Sequence, residues 1–478
     1  MESAGTGSSI GSFCHSFSFG AKRPLTTKLL FTPATGCFLI ASRDAMKVLV
    51  LGSGGREHAL VWKLAQSRQI TRLWVAPGNA GTALERLAAS GNPVENIAIG
   101  ADHIDALLDF AKASRPDLTV VGPDNPLALG VVDRFQAAGF RIWGPNQRAA
   151  QFEASKAFSQ DFMERHGIPT ARSGTFTDPA EAKRYCATLD GRCAVKADGL
   201  ALGKGVLLAT SVAEAERAVD EILVDKAFGQ AGAKLVIQEL LEGMEISLHA
   251  LCDGRTAKLF PTSQDHKRSH DGDTGLNTGG MGTYSPAPFL SDAELERVGE
   301  QILSPWLAGC AADGIDFRGL LYPGVMLTRT GPKVIEFNAR FGDPETQVYL
   351  PRLENDLLDL LIASVEGTLD RMTLRWSREA CVCVVAASAG YPGPVQKGQE
   401  VEGLNAADAL PGVKVFHAGT AVKDERIVTN GGRVLGVTAL GPDVASARIR
   451  AYEALSKVHF DGMHFRRDIG AKALAASH

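Results

Sequence analysis

Lys196 closes the apolar run Ala194-Val195-Lys196 and is followed by a loop reading ADGLALGKGV, which holds Gly199, Gly203, Lys204 and Gly205. A strand lysine beside such a loop can bind a polyphosphate, the lysine as counter-charge and the glycines through backbone N–H groups. This is not a Walker P-loop, which needs G-x-x-x-x-G-K-[ST] leading straight into a helix. Here the next helix is expected only after Ser211. Ser155-Lys156 opens a helix expected to run to His166 and supplies a second ammonium. Farther on, Glu336 and Asn338 stand two residues apart on a strand and so share one face. Paired oxygen ligands of this kind suit Mg2+ riding on a nucleotide phosphate. Taken singly, a strand lysine is a solvated edge residue and an E-x-N pair a polar face. Their succession along one chain is what points to phosphate chemistry.

Three more loops follow expected strands: 52–58 (GSGGREH), 77–82 (PGNAGT) and 122–127 (GPDNPL). The first has Gly52 and Gly54 of the dinucleotide fingerprint G-x-G-x-x-G, but Glu57 takes the third position, which speaks against a nicotinamide cofactor. What survives is a glycine turn at a helix N-terminus, where free N–H groups can hold a phosphate. Arg56 and His58 stand beside it; a tight structural turn fits the same residues. A fourth segment, 262–288, is polar and carries Asp265, Lys267, Asp271, Asn277, Gly279, Gly280 and Met281. A loop of that length within a compact domain reads as a substrate loop.

The elements that must position these residues fall into three stretches. Strands at 47–51, 73–76, 118–121 and 141–143 alternate with helices at 57–66, 104–113 and 131–138. That alternation predicts a parallel sheet with ligand loops at its C-terminal strand ends, over 46–149. A central stretch, 150–371, carries the lysines, the E-x-N pair and a long helix at 292–312. A third, 372–471, has strands at 381–387, 414–416 and 434–438 and a closing helix from Val444, with a tail at 472–478. The fold class is α/β throughout. Cys381 and Cys383 alternate along their strand and should point to one buried face.

The chain has 478 residues, is 45% hydrophobic and 22% charged, and has a mean hydropathy of −0.01, which excludes a disordered or fibrous chain. A net charge of −4 gives no general pull toward nucleic acid, and no apolar stretch is long enough to span a membrane. Residues 1–45 differ from the rest: Glu2 and Asp44 are the only acids, against Lys22, Arg23, Lys28 and Arg43 and many serines and threonines. That composition predicts an organelle transit peptide, for a plastid or a mitochondrion. Eight cysteines without a C-x-x-C fit a reduced compartment without structural disulfides or zinc.

The runs GSGGREHA, SKAF, VKADGLALGKGV, SQDHKR, NTGGMGTYSP and EFNARFGDPETQ resemble the glycinamide ribonucleotide synthetases of the ATP-grasp superfamily, over nearly all of 46–470. The resemblance implies a central ATP-grasp domain of two α+β lobes, with a mobile lobe at about 168–238. It implies ATP and Mg2+ (or Mn2+) as cofactors, glycine and 5-phosphoribosylamine as substrates, and room for transient contact with the enzyme that makes that amine. In such ligases glycine is activated as glycyl phosphate, which the amine then attacks. By the same resemblance Lys156 and Lys196 hold the ATP phosphates beneath Gly199, Gly203, Lys204 and Gly205. Gln238, Glu239 and Leu241 meet adenine, and Glu245 meets the ribose hydroxyls. Glu336 and Asn338 hold the metal, and Arg340, Asp343 and Lys267 serve catalysis. Gly54, Gly55, Arg56, Glu57, Asn79, Gly81, Thr82, Gly122, Pro123 and Asp124 cradle phosphoribosylamine. Asp265, Asp271, Asn277, Gly279, Gly280 and Met281 hold the reacting groups. Asp343, just before Pro344, also fits a helix N-cap.

Two positions depart from the pattern. Many ATP-grasp enzymes carry an acid twelve residues before the E-x-N glutamate, where this chain has Gly324, and Leu276 stands where proline is expected. The rival readings are another ATP-grasp ligase or carboxylase and a non-catalytic nucleotide-binding regulator. The TGGMG and RFGDPE runs speak against the first, and the presence of Lys156, Lys196, Glu336 and Asn338 against the second.

Overall fold

A computed structural model describes residues 45–200 and 205–476. All but the last residue of the segment read as a transit peptide lies outside the described residues, as do Gly203 and Lys204. The first sheet is parallel, with strands in the order Glu95–Asn96, Ile70–Pro77, Met46–Gly52, Leu118–Val121, Ile142–Trp143. Its central strand is buried on both faces, as a parallel sheet between helices requires. Val48 and Val50 pack with helix Gly55–Ala65 on one side; Leu49 and Leu51 pack with helices Ile104–Ser114 and Val131–Ala137 on the other. The first of these cores also takes in helix Leu357–Glu366, so the N-terminal and central stretches share apolar interior. Strands Met46–Gly52, Ile70–Pro77 and Leu118–Val121 run side by side, so the loops that follow them gather at one end.

The central stretch forms two antiparallel lobes. In the smaller, strands Ser173–Phe176, Leu235–Glu239, Arg192–Ala197 and Val206–Thr210 lie in that order beneath helices Pro179–Thr188 and Val212–Val219. The larger is built on strand Arg318–Thr328, paired with Met244–Ser247, Ala250–Asp253 and Gly331–Asn338. Helix Asp292–Ala312 covers it and starts where a capping box dictates: Ser291 and Glu294 each bind the other's backbone N–H.

The third sheet is antiparallel and corrects the reading of 262–288 as a structureless loop. Its order is Gln264–Asp265, Gly282–Ser285, Ala380–Ala387, Arg433–Gly441, Val413–His417. Two of its five strands therefore come from the supposed loop, and a third piece, Arg268–His270 with Thr274–Asn277, forms a hairpin. Strands this short are too brief for alternation to register, and the partner of Gly282–Ser285 lies about a hundred residues downstream at 381–384. Cys381 and Cys383 do share a buried face, against Val348. All six described cysteines are buried thiols. Among the described residues no helix is long and apolar enough to cross a membrane.

Four buried histidines set an expected pH response. Burial pulls His58 and His249 below their ordinary value, and takes His266 to about 4 and His417 to about 3. Each is neutral in the fold but takes up a proton near pH 6.5 once unfolded, so stability is complete above 6.5 and is lost as pH falls below it. The slope is up to about 1.4 kcal/mol per pH unit for each ring. Urea midpoints measured from pH 7.5 down to 5 should fall steadily; a flat profile would contradict neutral burial.

Candidate active site

Between the two central lobes lies a cavity of about 570 Å³ in which the predicted cations and acids converge. Lys196 is 2% exposed, and its Nζ donates to the Ile335 carbonyl at 2.9 Å, on the strand that carries Glu336. Lys156 stands in the first turn of helix Lys156–Arg165. Asp198, from the start of the glycine loop, accepts the Ala157 N–H at 2.7 Å and the Ser155 hydroxyl at 3.0 Å, tying loop to helix. Lys267 pairs with Glu245 and lies 4.0 Å from Glu336. Burial alone would raise the Glu336 carboxyl, yet Lys267, Lys196, Lys156 and Arg340 hold it at about 2. Burial lowers the Lys196 ammonium to about 8 against the pull of Glu336.

Glu336 lies opposite Gly324, and Asn338 opposite Tyr322, in the antiparallel pairing. A side chain at 324 would meet nothing closer than Glu336 Cγ at 3.7 Å, so glycine there leaves room rather than relieving a clash. The Glu336 carboxylate and the Asn338 amide oxygen form a small hard-oxygen set. It fits Mg2+, which keeps several waters and needs only one or two protein ligands beside phosphate oxygens.

Arg340 is clamped behind this pair. It contacts Glu153 at 2.8 Å and donates to Asn338 Oδ1 and the Phe341 carbonyl, each at 3.2 Å. Its buried Nε has no hydrogen-bond partner among the described residues. Asp343 does not cap a helix: Thr346–Arg352 begins beyond it, and Arg433 at 3.1 Å and Gln347 at 2.8 Å hold its carboxylate. Glu345 takes the Tyr322 hydroxyl at 2.6 Å, and beside it burial, reinforced by that like charge, pushes the Asp265 carboxyl well above its usual range. The Glu239 side chain bridges Arg172 and Lys333, each at 2.9 Å, and the Gln238 amide donates to Gln160 Oε1 at 2.7 Å, so at this hinge the backbone and Leu241 remain to face the cavity.

A second cavity, of about 600 Å³, opens between the N-terminal loops and the C-terminal sheet. Ser53, Gly54 and residues 77–80 line one wall; residues 418–422, Asn430 and Arg433 line the other; Asp343 lines both cavities.

Several predicted contacts serve the loops instead of the cavities. Glu57 is 2% exposed: it accepts the Gly54 N–H at 2.6 Å and fills the space over Gly52 and Gly122, where a Cβ on Gly122 would lie 2.1 Å from its Oε1. The residue that broke the fingerprint is thus the strut of the turn. Arg56 is spent on Glu57 and the Phe341 carbonyl, and His58 is buried with both nitrogens used. Thr82 binds Asn79 and Asn96, the Asn79 side chain binds four backbone groups, and the Asn79 backbone N–H and carbonyl are taken up by Thr82 and Asn96, so Asn79 shapes the loop that lines the cavity. Gly55, Gly81, Gly122 and Pro123 likewise stand behind the cavity lining. Gly199 packs on Ala231, Met281 is fully buried just before strand Gly282–Ser285, Gly280 lies beneath Arg433, and Asp271 binds the Arg467 N–H at 2.7 Å. Asp124, Gly205, Asn277 and Gly279 do line the 570 Å³ cavity.

Models of the phosphoribosylglycinamide synthetase N domain, ATP-grasp (A) domain and C domain match residues 46–153, 154–346 and 381–472. The phosphoribosylamine–glycine ligase of Escherichia coli (strain K12) is 51% identical over 431 residues, 90% of this chain and 99% of that one. That of Vibrio cholerae is 49% identical over the same length and shares. The chain belongs to the phosphoribosylamine–glycine ligase family. It is an ATP-dependent ligase of purine biosynthesis, built on the ATP-grasp fold. The Thermotoga maritima phosphoribosylamine–glycine ligase structure superposes with a TM-score of 0.76 at 33% identity, over 88% of this chain and all of that one. A biotin carboxylase domain from Hydrogenobacter thermophilus, solved with MgADP, shares the fold at a TM-score of 0.68 and 17% identity, over 88% and 92% of the two chains.

For a ligase of this family, sequence reasoning missed Glu153, Tyr322, Glu345 and Arg433. Glu345 lay inside the RFGDPE run, and Arg433 directly after the turn Asn430-Gly431-Gly432, so both had a local signal. Glu153 and Tyr322 had none, since only the fold brings them to Arg340 and Glu345.

Proposed function

We propose that the chain joins glycine to 5-phosphoribosylamine through glycyl phosphate, giving glycinamide ribonucleotide, ADP and phosphate. The observation that carries this reading is that the cation-lined cavity and the N-terminal cavity meet at Asp343. Two half-reactions sharing one acyl phosphate need that adjacency. Lys156 and Lys196 neutralise the ATP phosphates. Glu336 and Asn338 would hold Mg2+, or Mn2+ in its place, which when bound offsets phosphate charge. The glycine carboxylate attacks the γ-phosphorus, with Arg340 aimed at the oxygens on which charge develops. The amine of phoshoribosylamine, held in the 600 Å³ cavity against the 53–54 and 77–80 backbone, then attacks the acyl carbon and displaces phosphate. Transient contact with the enzyme supplying this amine, and import directed by residues 1–45 into a plastid or mitochondrion, belong to the same proposal. A fluorescent fusion of 1–45 that stays in the cytosol would overturn the import part.

ADP release measured with Mg2+ and glycine, with and without freshly generated phosphoribosylamine, tests the chemistry. Turnover should require both substrates. Folded protein showing no glycine-dependent ADP release would overturn the reading.

A further inference from the structure

We propose that His58 is a positioning residue for the 600 Å³ cavity, holding through ring nitrogen Nδ1 the backbone from which one cavity wall extends. The inference rests on the assignment of that cavity to phosphoribosylamine.

His58 follows the glycine turn by one helical turn and is 1% exposed. Its Nδ1 accepts the His417 N–H at 2.7 Å. An accepting Nδ1 carries no proton, so the neutral ring bears its proton on Nε2, which faces Glu85 Oε1 at 3.1 Å. Glu85 is also bound at 2.9 Å by Lys414, three residues before His417 on the same strand. The His417 carbonyl accepts from Asn79 Nδ2 at 2.8 Å, and that same amide donates to the Ser53 carbonyl at 2.8 Å.

Both backbone groups of one residue, the last of edge strand Val413–His417, therefore end on the N-terminal domain. The next five residues, 418–422, are the cavity wall facing Ser53, Gly54 and residues 77–80. Gly81 lets this clasp close: a Cβ there would lie 2.4 Å from His58 Cε1 and 2.5 Å from His417 Cγ. His58 thus sets the distance between two walls while having no free atom to offer a substrate. A buried N–H left without its acceptor would pull away toward water, and the wall would move with it.

The full-length variants His58→Asn and His58→Gln separate the two ring nitrogens. The asparagine oxygen can take the place of Nδ1 and keep the His417 bond; glutamine reaches toward Glu85 and leaves the N–H unpaired. Calorimetry with glycinamide ribonucleotide, the stable product, should show binding weakened about tenfold or more by His58→Gln and within about threefold of the parent for His58→Asn. ATP affinity should stay within about twofold in both, because the nucleotide cavity lies on the other side of Asp343. A His58→Gln variant that loses melting temperature but binds the product like the parent would overturn the proposal, as would equal weakening by both variants. If His58→Gln does not fold, Asn79→Asp, which removes the donors to His417 and Ser53, must weaken product binding in the same way; unchanged affinity there overturns the clasp. A parent protein that fails to bind the product overturns the cavity assignment itself, and the clasp with it.

Discussion

Lys196→Ala should lower ADP release about a thousandfold, the scale seen when a preorganised charge-stabilising donor is removed, and should leave the circular dichroism spectrum unchanged. The two halves of this result have separate causes. Turnover should fall because no described neighbour replaces the ammonium: Lys156 approaches from the start of a helix, not from this strand, and Lys267 is committed to Glu245 and Glu336. The fold persists because Lys196 lines a cavity, so truncation enlarges a wet site, and water can satisfy the Ile335 carbonyl it abandons. The ammonium also carries a pH signature. With Lys196 at about 8, kcat/KM for MgATP should fall as pH rises through 8. Lys196→Arg, whose charge does not titrate in that range, should remove the falling limb. A falling limb that persists in the arginine variant would assign it to another group.

Arg340→Met is the opposite case, because it should damage fold and turnover together. Glu153 is 9% exposed and has Arg340 as its ion-pair partner, so the variant strands a buried carboxylate. Breaking such a pair from one side costs about 3–5 kcal/mol. Burial already raises the Glu153 carboxyl while Arg340 lowers it; without Arg340 it takes up a proton more readily. The destabilisation should therefore be smaller at pH 5 than at pH 8. Adding Glu153→Gln should return the urea midpoint toward the parent value without recovering turnover, which stays down by about 10²–10³. Recovery of turnover in the double variant would reduce Arg340 to a structural counter-ion.

Legibility in the sequence followed the range of the forces involved. The parallel sheet could be read because its strands are continuous apolar runs that alternate with helical stretches. Lys156, Lys196, Glu336 and Asn338 were legible because each sits on a regular element whose periodicity fixes the direction of its side chain. The 262–288 segment was not, because its strands find partners only through distant pairing. Neither was the wall at 418–422, where small residues contribute backbone rather than functional groups. Glu57 shows a subtler limit: a residue type foreign to one motif proved to be the internal brace of another turn.

The third sheet has a consequence for how this chain can be taken apart. Strands Gln264–Asp265 and Gly282–Ser285 belong to the sheet of the C-terminal domain, yet between them the chain places Lys267 beside Glu245 and Glu336. The catalytic region and the C-terminal region are therefore not exchangeable modules. A chimaera joined near residue 372 would pair strand Ala380–Ala387 of one relative with an edge shaped by another. A functional graft would have to carry 264–285 along with the C-terminal segment, and with it a lysine of the active site.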